Sequence, residues 1–293
     1  MDARSFEQIT IAERPRLLGL AYRLVGSYSD AEDLVQDALG RFQRAATSDI
    51  GSPAAYLTTV TTRLAIDHLR SARVRRETYV GPWLPEPIAA DPAPDALTQA
   101  ILNDTLSIAF LLMLEKLSPD ERAALVLHDV FAYSHSEIAE VLERSEPACR
   151  QLLRRARRRL DDDRRRSDVD PLHRDLVVDR FIAACSGGDF DSFLVTLRDD
   201  VELVFDGGPT IKTAARHPIT GAERVARFLA FAMARMTSTR RIERTTLNGG
   251  PAALIYSDFD HLVGAVFVEP AHDDARALNI RWVRNPAKLR ALA

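Results

Sequence analysis

The chain has 293 residues, of which 46% are hydrophobic and 28% charged, with a formal net charge of −3. This length allows two or three domains with a core each, and the composition is globular rather than disordered or collagenous. Cys149 and Cys185 have no CxxC or Cys/His spacing, which excludes a zinc ribbon or a disulfide framework as the organising feature. The chain opens without a signal-peptide pattern, and no apolar run reaches the roughly 18 residues of a membrane span, so a cytoplasmic protein with no membrane partner is expected. Nine arginines fall between Arg150 and Arg166, so an acidic chain carries one strongly basic segment.

Residues 5–45 read as two helices. Ile11, Leu17, Leu18, Leu20, Ala21 and Leu24 supply the apolar face of the first, and Gly26 ends it. Ser29 and Glu32 have capping-box spacing for the second, in which Leu34, Val35, Ala38 and Phe42 face inward. Its exposed first turns carry Asp30, Glu32, Asp33, Gln36 and Asp37, either to suit the helix dipole or to form a docking face. A third helix opens at Ser52–Pro53. Tyr56, Leu57, Val60, Leu64 and Leu69 line its inner side, while Arg63, His68, Arg70, Arg73, Arg75 and Arg76 make its second half basic.

Residues 77–97 are proline-rich and lack a helical period, which marks a linker. At about 3.3 Å per residue it can span roughly 70 Å. DNA elements one and a half turns apart are separated by about 50 Å. Within it, Trp83–Pro87 (WLPEP) reads as a docked anchor rather than a plain spacer. A long apolar helix is expected over 98–117, followed by Ser118-Pro119-Asp120-Glu121, an N-cap with an N1 proline and a capping box.

The segment from Ser134 to Arg159 carries the most information. Ser134 and Glu137 form a capping box, a turn falls at Glu143–Ser145, and Ser145 with Pro147 starts a second helix. Cys149, Leu152, Leu153, Ala156 and Leu160 form one apolar stripe on it, with Arg150, Arg154, Arg157 and Arg158 on another face. This is a helix-turn-helix pattern, with Glu143 where such turns often carry glycine. It would present Pro147, Ala148, Arg150 and Gln151 to the major groove and the later arginines to phosphates.

After a boundary near 168–171, two helices precede a strand at Val201–Phe205 ending in Asp206-Gly207-Gly208. Thr220 and Glu223 suggest a cap for another helix, and strand-like runs follow at 241–247, 252–257, 262–268 and 277–283. Helices followed by a curved antiparallel sheet make an α+β cone.

SYSDAEDLVQDALGRF and AAYLTTVTTRLAIDHLRSAR resemble regions 2.2 and 2.3–2.4 of group 4 (extracytoplasmic-function) bacterial sigma factors. LSPDERAALVLHDVFAYSHSEIAEVLERSEPACRQLLRRARRRL resembles their region 4. The WLPEP linker, a C-terminal SnoaL-like domain and NPAKL at Asn285–Leu289 resemble the SigJ-type subgroup with a fused C-terminal domain. The implied fold is multidomain: two all-α sigma domains, the second with a helix-turn-helix, plus a C-terminal α+β SnoaL-like cone. The expected segments are a region 2 domain at 5–77, a linker at 78–97, a region 4 domain at 98–166 and the cone at 172–293.

The resemblance also assigns roles. Asp30, Glu32, Asp33, Gln36 and Asp37 would dock on the β′ clamp helices of core RNA polymerase, whose β flap is a second expected contact. Arg63, Asp67, Arg70 and Arg73 would face the −10 element of promoter DNA. Pro147, Ala148, Arg150, Gln151, Arg154 and Arg155 would meet the −35 element. Trp83, Leu84, Pro85, Glu86 and Pro87 would make regulatory contacts with Asp206, Gly207, Gly208, Lys212, Asn285, Pro286, Lys288 and Leu289. The last two stretches depart from the subgroup's DGGGK and NPDKL, with an insertion before Lys212 and Ala287 in place of aspartate. Melting a promoter requires an unstacked base to be held, and Tyr56 is the only aromatic between Phe42 and Arg76, so weak melting is expected.

No cofactor or metal is implied, and an unidentified small ligand in the cone is the remaining candidate partner. The expected function is a sigma factor that reads −10 and −35 elements and is controlled in cis by the fused domain. The alternatives are a helix-turn-helix regulator acting without polymerase, or a DNA-binding protein with an enzymatic cone. Candidate catalytic groups for the last are Asp206, His217, Tyr256, Asp258, Asp260 and His261, of which no two stand out as an acid/base pair. No enzymatic activity is expected.

Overall fold

A computed structural model describes residues 3–45, 50–77, 79–89, 106–167, 170–211, 215–236, 240–257, 260–271 and 274–292. The chain packs as two units: Met1–Glu77 with Phe110–Asp161, and Thr78–Ala109 with Asp162–Ala293. The described part of the proline-rich linker, residues 79–89, therefore belongs with the C-terminal unit.

The first unit is helical. α1 (Ala3–Val25), α2 (Tyr28–Arg44) and α3 (Pro53–Glu77) pack on Leu17, Leu20, Leu24, Val35, Phe42 and Leu57, all buried. The cap of α2 is Ser27, which accepts from the Asp30 amide, rather than Ser29; Gly26 takes the left-handed φ of 71° that ends α1. The apolar helix expected from residue 98 runs as α4 (Ile108–Glu115) within the described residues. α5 (Pro119–Leu125) begins at the Ser118–Glu121 capping box and continues into a π-helical turn, Val126–Val130.

α6 (His135–Leu142) begins at the Ser134–Glu137 capping box and α7 (Glu146–Ser167) follows the turn. The stripe of Cys149, Leu152, Leu153, Ala156 and Leu160 is buried along its whole length, as its spacing requires. Full burial of each leucine contributes about 2 kcal/mol, so the stripe rather than helix propensity holds this arginine-rich helix in place.

The second unit is α+β. α8 (Pro171–Gly187), α9 (Phe190–Leu194) and α10 (Ala222–Ala234) accompany strands β1 (Leu197–Asp206), β2 (Ile219–Thr220), β3 (Arg241–Leu247), β4 (Gly250–Tyr256), β5 (Leu262–Ala271) and β6 (Asp274–Val283). The sheet order is β2-β1-β6-β5-β4-β3. It is mixed rather than purely antiparallel, because β1 runs parallel to β6, with Leu203 opposite Ile280 and Phe205 opposite Trp282. β2 and α10 lie between β1 and β3 in the chain, and β1 pairs with β2 on one side and β6 on the other.

The expected Thr220 cap is absent; Gly221 occupies the N-cap of α10 at φ 95°. Phe181, Phe193, Phe205, Leu229, Met233, Val266, Ile280 and Trp282 form one core, with the Phe205 and Trp282 rings 5.0 Å apart. A short terminal helix, α11 (Pro286–Leu289), closes the described fold. Among the described residues, no helix is long and apolar enough to cross a membrane.

Candidate nucleic-acid interface and linker contact

The turn of the helix-turn-helix is made without glycine. Glu143 adopts φ 52°, ψ 47°, and its amide donates to the Ala139 and Glu140 carbonyls, which ends α6. The left-handed region costs a residue with a Cβ roughly 1–2 kcal/mol, so something offsets that cost here. Ser145 then accepts from the Ala148 amide to start α7.

On α7, Pro147, Arg150, Gln151, Arg154 and Arg158 lie on one exposed face, while Ala148 is half-buried beside them. Arg150 pairs with Glu146 one turn back. Arg155 is exposed like Arg154, and with Arg159 it also pairs with the buried Glu121, at 3.2 and 2.7 Å. Glu121 is also the acceptor in the α5 capping box, so these two arginines brace the recognition helix from below. Arg157 pairs with Asp129, which raises the guanidinium pKa. Arg155, Arg157 and Arg159 are themselves exposed, so the basic surface of α7 stays open to solvent while these three also hold Glu121 and Asp129.

On α2, Asp33 and Gln36 are exposed, and Asp37 pairs with Arg41 at 3.1 Å. Glu32 meets Arg14 at 3.3 Å and Asp30 lies 3.6 Å from His68, so these two are partly engaged within the unit. On α3, Arg63 and Arg70 lie two turns apart on one face, Asp67 pairs with Arg70, and the Arg73 side chain lies outside the described residues. Tyr56 packs against buried Phe42, with ring centroids 5.8 Å apart, instead of standing free.

The second site lies within the C-terminal unit, where the linker meets the end of β1. Along β1, Phe205 enters the core, so Asp206 points to the opposite side of the sheet. Its carboxylate is fully buried and accepts from four groups. Oδ1 takes the Tyr79 hydroxyl at 2.6 Å and the Gly208 amide at 3.0 Å; Oδ2 takes the Leu84 amide at 2.9 Å and Lys288 Nζ at 2.7 Å. Lys288 Nζ also donates to the Leu84 carbonyl and sits 4.2 Å from the Trp83 ring centroid.

Asn285 completes the set. Its Oδ1 caps α11 by accepting from the Ala287 amide, and its Nδ2 donates to the Tyr79 oxygen at 2.9 Å. Gly208, at φ 58°, is required because a Cβ there would lie 2.6 Å from Asn285 Cγ. Leu84, Pro85, Glu86, Pro87 and Leu289 are buried, whereas Lys212 lies outside the described residues. Burial, and then the Asp206 charge, push the Tyr79 phenol pKa well above its ordinary value, so this hydroxyl is a committed donor.

A second linker anchor was not visible in the sequence reading. Asn248, at φ 51°, sits with Gly249 in the β3–β4 turn. Its Oδ1 accepts from the Ile88 amide, its amide donates to the Ile88 carbonyl, and its Nδ2 donates to the Leu106 carbonyl. Asn-Gly marks a two-residue hairpin turn in sequence, but nothing local says that its side chain serves another segment. Tyr79 was missed for the same reason.

The candidate catalytic residues do not converge. Asp206 is saturated by donors, while Arg241 stacks on Tyr256 at 3.9 Å and pairs with Asp260 at 2.8 Å. His217 and His261 are exposed, and Asp258 lies outside the described residues.

The fold and surfaces define a transcription-type DNA-binding protein, with a helix-turn-helix unit and a separate α+β unit that grips the linker. Residues 11–75 match the family model for Sigma-70 region 2, and residues 107–160 that for Sigma-70, region 4. The ECF RNA polymerase sigma factor SigJ of Mycobacterium tuberculosis is 42% identical over 232 residues, covering 78% of this chain and 72% of SigJ. The probable ECF sigma factor SigI of that organism is 37% identical over 228 residues, 71% of this chain and 77% of SigI. The crystal structure of M. tuberculosis SigJ aligns with a TM-score of 0.73 at 32% identity, covering 99% of each chain. The chain belongs to the extracytoplasmic-function RNA polymerase sigma factors. It directs core RNA polymerase to promoter DNA, and both are its partners.

Proposed function

We propose that this sigma factor is controlled in cis through the contact between its linker and its C-terminal domain. The working segments are a region 2 domain at 5–77, a linker at 78–97, a region 4 domain at 98–166 and a regulatory domain at 172–293. Asp33, Gln36 and Asp37, with Asp30 and Glu32 beside them, form the polymerase-docking face of α2. Arg63, Asp67, Arg70 and Arg73 serve the −10 element; Pro147, Ala148, Arg150, Gln151, Arg154 and Arg155 serve the −35 element. The C-terminal domain acts by binding rather than by catalysis, and the protein works in the cytoplasm.

The observation that carries cis control is the four-donor cradle around Asp206. A buried carboxylate that binds Tyr79, Leu84 and Lys288 together fixes the linker in one path. A linker that joins two DNA-reading modules sets how far apart they can stand, so whatever holds it sets promoter access. The contact is a two-state element, which polymerase biases by needing the linker in another path.

The test is in vitro transcription with core polymerase on the chain's own upstream region. The comparison is between the full chain, Lys288→Met and a truncation after Arg166. Defined start sites whose yield changes when only the cradle is broken support the reading. Equal yield from the full chain and Lys288→Met would remove cis control by this contact.

A further inference from the structure

Helix α10 of the C-terminal unit presents two unlike faces. Val225, Ala226, Leu229 and Met233 are buried in the domain core. On the other side Arg224, Arg227, Phe231 and Arg235 follow at i, i+3, i+7 and i+11, one narrow arc of a helix with 3.6 residues per turn. All four are exposed, Phe231 to 54%. The Arg235 guanidinium carbon lies 5.4 Å from the Phe231 ring centroid. At about 1.5 Å per residue the stripe is roughly 16 Å long.

The charge on this face is uncompensated. Among the described residues, neither Arg224 nor Arg227 has an ion-pair or hydrogen-bond partner. Arg241, Arg244 and Arg276 are also exposed, yet each meets a carboxylate. The only acid of α10 is Glu223, in its first turn, where the helix dipole favours it. A solvated helix face has no use for a phenyl ring held in water among unpaired arginines. A ligand that is both anionic and flat has a use for all four side chains.

We propose that this face binds single-stranded DNA, with phosphates on Arg224, Arg227 and Arg235 and an unstacked base on Phe231. Cations spaced along an exposed aromatic ring are the elements of a platform for a strand whose bases are free. A duplex backbone satisfies the arginines but offers the ring no open base. Transcription initiation supplies such a strand when the promoter opens. Tyr56, the aromatic expected to hold an unstacked base, packs on Phe42 instead. The α10 face shares no residue with the Asp206 cradle, so this task is separate from control of the linker.

The test uses the full chain without polymerase and a mixed-sequence single strand carrying thiothymidine, alone or annealed to its complement. Near-ultraviolet cross-links are located by mass spectrometry, and the strand concentration for half-maximal cross-linking of the 222–235 segment is read as affinity. Cross-links to that segment are expected with the single strand and far fewer with the duplex. Phe231→Ala should weaken the single-strand affinity by about five-fold or more, the low end of what one stacked base contributes, at an unchanged melting temperature. Phe231→Trp should retain it. Arg224→Gln with Arg227→Gln should reduce the slope of log affinity against log salt by about 1.4, two phosphates at about 0.7 each. Arg241→Gln with Arg276→Gln removes as much charge from paired positions and should leave affinity and slope unchanged.

Cross-links confined to the helix-turn-helix unit, or full affinity in Phe231→Ala, would overturn the proposal. Equal cross-linking by the duplex would make the face a plain phosphate contact, and equal losses from the Arg241 and Arg276 pair would reduce the effect to net charge; both contradict it. Unchanged strand binding in every variant, with weaker capture of core polymerase by Arg224→Gln with Arg227→Gln, would assign the face to a protein and overturn it too. If Phe231→Ala lowers the melting temperature, Phe231→Leu carries the same test, because it keeps an apolar side chain and removes only the ring.

Discussion

Lys288 Nζ lies 2.7 Å from Asp206 Oδ2, with the aspartate side chain wholly buried and the lysine 11% exposed. Asp206 ends the first strand and Lys288 lies in the last helix, and between them they hold the Leu84 backbone by both its amide and its carbonyl. A pair this deep is retained only if each group is fully hydrogen-bonded, because an unpartnered buried charge costs several kcal/mol. The linker supplies those bonds, so linker position and stability of the C-terminal unit are coupled.

Breaking that pair from one side has a definite expected outcome. Lys288→Met leaves Asp206 charged and buried, and should destabilise the C-terminal unit by about 3 kcal/mol. Asp206→Asn combined with Lys288→Met removes both charges and should recover part of that loss. Thermal melts of the single and double variants measure the difference. Limited proteolysis near residues 79–89 should show earlier cleavage in both.

Tyr79→Phe isolates one bond of the cradle. It deletes the donor to Asp206 and the acceptor for Asn285 while keeping the ring. The expected cost is about 1–3 kcal/mol, since Asn285 and Asp206 each lose a partner in a buried place. In the intact protein the Tyr79 phenol should ionise later than the other tyrosines in an ultraviolet titration, because burial and the Asp206 charge hold its pKa up. Stabilisation from a raised phenol pKa is present throughout neutral pH and fades only as pH climbs beyond the ordinary phenol value of about 10.

The opposite sign applies at Glu137. Bonds from the Ser134 hydroxyl and backbone amide lower its carboxyl pKa. Its contribution to the start of α6 is therefore present at neutral pH and is lost as pH falls through and below the ordinary carboxylate value of about 4.3. Glu137→Gln should remove that acid dependence. Amide exchange at the start of α6, followed from pH 7 to 3, checks it.

The arginines of α7 should separate by role. Arg154→Ala should weaken −35 duplex binding and reduce the salt slope by about one unit, with little change in melting temperature. Arg155→Ala should also lower the melting temperature, because Arg155, although exposed, pairs with the buried Glu121. Fluorescence anisotropy across a salt series, alongside thermal melts, distinguishes the two.

Much of this architecture is legible in the sequence, for local reasons. The capping boxes at Ser118 and Ser134 and the Cys149–Leu160 stripe each follow from residues within a few turns of one another. Leu84–Pro87 was likewise readable as docked, since a proline-braced tryptophan suits an anchored segment better than a free spacer. What stayed hidden depends on distant partners. The parallel pairing of β1 with β6 is set by packing, not by either strand's pattern. Arg155 and Arg154 are adjacent and chemically identical in sequence, and only the position of Glu121 separates them. The task of Asn248, holding Ile88 and Leu106, involves residues more than a hundred positions away, which no local pattern reveals.

The most direct test of cis control follows one amide proton. Leu84 N–H donates to buried Asp206 and should exchange slowly in the free protein. Hydrogen exchange of the 79–89 segment is to be measured with and without core RNA polymerase. Protection in the free chain that falls sharply on polymerase binding is the expected result, with the linker leaving the cradle as the sigma domains engage. Protection that persists unchanged in the polymerase complex would contradict the account and make the cradle a fixed structural joint.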